Sequence, residues 1–98
     1  MYKLKNGVEL PKEFKIKVNP EQSEALQKHL FNCGYSWFSL TKLIMYVESR
    51  YLYLEENKLT HFNTKSYFKE NKLQLIKFKD YFEKVDESLV FTWTPNFG

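Results

Sequence analysis

The side chains best suited to metal binding or nucleophilic chemistry in this 98-residue chain are His29, His61 and Cys33. His29 and Cys33 stand four residues apart, a workable spacing for two ligands on one helix face. Zinc needs at least one further protein ligand, and His61 is the only other histidine. Cys33 falls at the C-terminal end of its predicted helix, where the helix dipole disfavours a thiolate. These residues therefore read as a helix face packed on a sheet, with no metal and no cofactor. Asp80, Glu83 and Glu87 could line one helix face and imitate an acid–base set. Lys79 and Lys84 interleave with them, as on a solvated helix surface. Gly7, Gly34 and Gly98 are too few for a phosphate cradle, and no zinc-protease or serine-hydrolase motif occurs. The expectation is a protein that is not an enzyme.

Aromatic residues make up 18% of the chain, and their spacing suggests a contact surface. Tyr51 and Tyr53 alternate with Leu52 and Leu54, and Tyr35 and Trp37 alternate with Ser36 and Phe38. If Leu52 and Leu54 face the core of a strand, Tyr51 and Tyr53 face outward. Should Tyr35 and Trp37 share that outer face, the sheet presents a stacking platform, with Lys15, Lys17, Lys77 and Lys79 supplying contacts to anions. The competing reading makes Trp37 a core residue, Tyr51 and Tyr53 rim residues, and the lysines guards of an edge strand. These eight residues form the candidate contact set. Their partner is a protein or, alternatively, a nucleotide or nucleic acid.

The elements that must position them begin with the stretch Asn19–Trp37. Asn19 is a good N-cap, Pro20 suits the first helical position, and Gln22 completes a capping box. Gly34 can take the left-handed conformation that ends a helix. Gln22, Leu26, His29, Leu30 and Cys33 share one face of this helix, whereas Glu24, Gln27, Lys28 and Phe31 share the other. Upstream, Asn6-Gly7 suits the turn of a small hairpin over residues 2–10. Phe14, Ile16 and Val18 alternate with outward Lys15 and Lys17. Downstream, residues 35–39, 43–47, 51–55, 59–62, 73–78 and 89–94 read as strands, with Glu55-Glu56-Asn57-Lys58 as a hairpin turn. Residues 66–71 suit one helical turn, and 80–85 a short second helix near the C-terminus. The expected fold is α+β, one main helix on a mainly antiparallel sheet. It forms a single domain over 1–98, with a core at about 13–83 and a C-terminal strand and tail over 84–98.

Composition narrows the class further. The chain is 43% hydrophobic and 28% charged, enough apolar matter for a core without staples. Its longest apolar runs fall far short of a membrane span, and no secretory leader opens it. A single cysteine cannot form an internal disulfide and suits a reducing cytosol. The net charge of +3 is mild, and Arg50 is the sole arginine, so the bidentate fork of specific base recognition is nearly absent.

The segments KIKV, NPEQSEALQKHLF, GYSW, RYLYLEENKLTHF, YFKEN and LQLIKFKDYF, spanning about Phe14 to Phe82, resemble a small domain of short accessory proteins of tailed bacteriophages. Leu30-Phe31 followed by Gly34-Tyr35-Ser36-Trp37 is the most specific part. Phe38-Ser39-Leu40-Thr41 departs from the group's glycine-rich turn, and Lys77 and Lys79 make the later segment more basic. The resemblance implies a phage origin and supplies no catalytic residue. Phage accessory proteins of this size often bind and block a host component. The expectation is thus a cytoplasmic protein of the infected cell that acts by stoichiometric binding, inhibiting or redirecting a host defence protein. A sponge for a nucleotide signal or a weak nucleic-acid binder is the alternative, and self-association through an open sheet edge stays open.

Overall fold

The helix that opens at Asn19 organises the molecule, and the computed structural model, which describes residues 1–85, shows how. Helix α1 spans Pro20–Asn32. The Gln22 N–H donates to Asn19 Oδ1 at 2.8 Å, and the Asn19 N–H donates back to Gln22 Oε1 at 3.0 Å. That is the expected capping box. Gly34 leaves the helix at φ +96°. The buried face is not quite the expected one. It carries Ser23, Leu26, Gln27 and Leu30, so Gln27 lies inside, while Cys33 is exposed. Phe31 folds against the core from the flank.

A five-stranded sheet runs in the order β3-β5-β4-β2-β6. Its strands are β2 (Phe14–Lys17), β3 (Ser36–Trp37), β4 (Tyr51–Glu55), β5 (Lys58–His61) and β6 (Leu75–Lys77). The β4–β5 hairpin forms as expected, Glu56 and Asn57 taking the two left-handed positions of its turn (φ 54° and 65°). The sheet is mixed, which corrects the mainly antiparallel expectation. β2 pairs with β4 antiparallel but with β6 parallel, and β3 pairs with β5 parallel. The reason is connectivity: β2 and β3 are joined through α1, and β5 and β6 through α2 (Lys65–Glu70). Strands joined through a helix return in the same direction.

The two helices lie on opposite faces. Leu26 and Leu30 of α1 join Phe14, Ile16, Leu52, Leu54 and Leu59 in the main core, while Phe68 of α2 packs with Tyr51 and Tyr53 beneath the sheet. One helix on one face is therefore replaced by a helix on each. A third, four-residue helix α3 (Phe78–Tyr81) runs into strand β7 (Phe82–Lys84) where a helix over 80–85 was expected. The hairpin expected over residues 2–10 does not form either. β1 (Tyr2–Leu4) pairs antiparallel with β7, and Phe78 stacks on Phe82 at 4.5 Å to close that end of the core. The expected strand over 89–94 and the tail lie outside the described residues. Among the described residues no helix is long and apolar enough to cross a membrane.

Candidate functional site

Residues 38–50 form a thirteen-residue irregular connection between β3 and β4. The apolar run 43–47 reads as a strand by composition, yet it pairs with none. Its backbone is held by side chains instead. Gln27, wholly buried in α1, donates from Nε2 to Met45 O at 2.7 Å and to Ser23 Oγ at 3.0 Å. The Met45 N–H donates to Gln27 Oε1 at 2.9 Å. One amide thus imitates a neighbouring strand, meeting both backbone groups of one residue.

Trp37 supplies the second anchor. It is 2% exposed, and its indole Nε1 donates to Leu43 O at 3.0 Å. Its backbone N–H donates to Thr41 O at 2.9 Å, while its carbonyl accepts from the Leu40 N–H at 2.7 Å. Tyr46 and His61 form the third. Their rings stack at 3.9 Å, and each meets the Trp37 ring edge-on, at 5.1 and 5.9 Å. Burial holds the His61 imidazole below its ordinary pKa, which keeps a neutral ring in the stack.

Held this way, the loop turns its large apolar side chains outward. Phe38 is 74% exposed, Leu40 71% and Leu43 65%. Leu40 and Tyr46 adopt left-handed φ values of 72° and 56°, a conformation that costs a non-glycine residue of order 1 kcal/mol or more. Burying a large apolar side chain is worth about 1.5–3 kcal/mol, so folding gains little from these three. A loop fixed by buried hydrogen bonds, strained in its backbone and apolar on its outer side is suited to contact with another molecule. The aromatic margin continues past His61, where Phe62 and Tyr67 are both exposed with ring centroids 4.8 Å apart.

The eight expected contact residues scatter. Tyr51 and Tyr53 do lie opposite Leu52 and Leu54, but α2 covers that face and buries both; Tyr51 stacks on Phe68 at 4.6 Å. Trp37 lies on the other face, in register with Leu59 in the main core, and half-buried Tyr35 packs beside it. The four aromatics share no outer platform. Lys15 is buried too, contrary to its outward expectation. Its ammonium donates to the carbonyls of Phe68, Lys69 (3.4 Å) and Asn71 (2.7 Å), closing the C-terminal end of α2, and lies 5.0 Å from the Phe68 ring centroid. Lys17, Lys77 and Lys79 are exposed. His29 and Cys33 approach to 3.6 Å, and His29 meets the Phe82 ring edge-on. Among the described residues no three His, Cys, Asp or Glu side chains gather as a metal site would require.

The Tyr53 hydroxyl is buried without a hydrogen-bond partner among the described residues. Burial, reinforced by the Tyr67 and Tyr51 phenols, pushes its pKa up to about 12. An orphaned buried hydroxyl costs about 1–3 kcal/mol. Tyr53→Phe should therefore raise stability by about 1 kcal/mol, seen as a higher urea midpoint with an unchanged slope. A lowered midpoint would mean that the hydroxyl has a partner.

Sequence reasoning missed the loop because the apolar run 43–47 reads as a strand by composition, and Leu40, Leu43, Ile44 and Val47 even repeat at helical spacing, yet the segment forms neither element. No family model matches the chain, and no curated protein or solved structure matches it either.

Proposed function

We propose that this protein works by occupancy, inserting the outer side of the 38–46 loop into an apolar concavity on a partner protein. The supporting observation is the combination of exposed Phe38, Leu40 and Leu43 with the buried Gln27 and Trp37 anchors beneath them. A loop already ordered before binding avoids the entropy of ordering it on contact. Together with the phage-like sequence, this favours a stoichiometric inhibitor or adaptor of a host protein in the cytoplasm of the infected cell. The nucleotide-binding alternative has less support, since Tyr51 and Tyr53 of its expected platform lie under α2.

The test is affinity capture from host lysate with wild-type protein and with Phe38→Ser/Leu43→Ser. Both side chains point into solvent, so the double variant should unfold within about 0.5 kcal/mol of wild type. Centrally placed apolar anchors contribute about 2 kcal/mol each, so affinity for the captured partner should fall at least 30-fold. Full retention of the same partner by the double variant would remove the loop from the contact.

A further inference from the structure

The opposite edge of the sheet carries a second, differently constructed surface. β6 ends the strand order, so only one of its sides is paired. The Lys15 N–H donates to Gln74 O at 2.8 Å, and Ile16 pairs with Ile76 in the parallel register. That phase directs the backbone of Gln74 and Ile76 toward β2 and the N–H groups of Leu75 and Lys77 outward. Leu75 is 56% exposed, an apolar side chain on a free edge. Lys17 and Lys77 are partners across the β2–β6 pair and project from the same face as Leu75, while Lys79 follows at the start of α3; all three line one shallow depression together with Leu75, Phe68 and Phe78. Neighbouring like charges on paired strands repel. Among the described residues, none of these three lysines is ion-paired: Glu48 lines the next depression with Lys17 and Arg50 without bridging either, whereas Lys3 pairs with Glu83 and Lys28 with Glu24.

We propose that the β6 edge binds an extended acidic peptide segment of a partner protein, which adds to the sheet as a sixth strand. The outward N–H groups of Leu75 and Lys77 would pair with the peptide backbone, Leu75 would pack on an apolar side chain, and Lys17, Lys77 and Lys79 would meet carboxylates spaced two residues apart. Lysines at an edge ordinarily prevent strand pairing. Here they repel a second copy of the same basic edge and admit a strand of opposite charge, so one set of residues both excludes and selects. This surface lies across the sheet from the 38–46 loop and does not depend on the reading of that loop.

Fluorescence anisotropy with the full chain tests it. The probes are labelled decapeptides carrying a valine and then glutamates or lysines at alternate positions, with threonine between them so that the valine and the charges share one face, and a labelled ten-nucleotide oligothymidylate. The glutamate peptide should bind at least tenfold tighter than either other probe and should slow amide exchange at Leu75 and Lys77. Leu75→Pro removes one outward N–H at an edge position where proline is tolerated, and should weaken binding at least tenfold. Lys17→Glu/Lys77→Glu, two exposed positions, should do the same; if the proline variant does not fold, amide exchange at Leu75 and Lys77 decides, and exchange that the bound glutamate peptide leaves unchanged overturns strand addition. Phe38→Ser/Leu43→Ser should bind the peptide like wild type. Unchanged affinity in folded Leu75→Pro would reduce the contact to charge attraction and overturn strand addition. Preference for the oligothymidylate, or protection of the edge amides by self-association without peptide, would overturn the assignment of the occupant.

Discussion

Trp37→Ala is expected to lower the unfolding free energy by about 3–5 kcal/mol, the usual range for truncating a buried tryptophan. Here the loss has two parts. The indole fills the main core beside Leu59, and its N–H holds Leu43 O at 3.0 Å. Small domains have about 5–15 kcal/mol in total, so one substitution consumes much of the margin. Trp37→Phe separates the parts. It keeps an aromatic ring in the core but gives up the indole bond to the loop, so it should cost less than half as much while still releasing the loop. Urea unfolding followed by far-ultraviolet circular dichroism measures the first effect, and limited proteolysis within residues 38–47 the second. If Trp37→Phe cleaves no faster than wild type, the indole is not the loop's anchor.

Lys15→Ala is the second large effect, expected at about 2–4 kcal/mol, because hydrogen bonds to a charged group contribute about 1.5–3 kcal/mol each before the relief of desolvation is subtracted. The ammonium has three protons and three carbonyl acceptors at the end of α2, and its stem lies in the layer formed by Tyr51, Tyr53 and Phe68. Lys15→Met preserves the stem and should fall between wild type and Lys15→Ala. Faster amide exchange confined to α2 and strand β4 would accompany both. An unfolding midpoint for Lys15→Ala equal to that of wild type would show that α2 needs no latch.

The contrast between Lys15 and Lys17 shows how far strand alternation reaches. A period of two places both on the face opposite Phe14 and Ile16, and they do project there. Alternation cannot say what covers that face. Helix α2, contributed by residues fifty positions downstream, covers Lys15 and Tyr53 and leaves Lys17 in solvent. The parallel pairings were legible in principle, since a strand, a thirteen-residue helix and a strand in succession form a crossover unit. Hairpin signals are local and report only the β4–β5 pairing, so they carry no information on strands separated by a helix.

The chain by itself determined the capped helix, the β4–β5 turn and the alternation within β2 and β4, because those signals act between residues no more than four apart. It also indicated an α+β fold. Tertiary structure decided that both faces of the sheet are covered, that the aromatic residues separate onto different faces, and that an apolar segment stays outside the sheet. Gln27 to Met45 spans 18 positions and Lys15 to Phe68 spans 53. Contacts at such separations arise only when the whole chain has packed, so no local pattern of residue types encodes them.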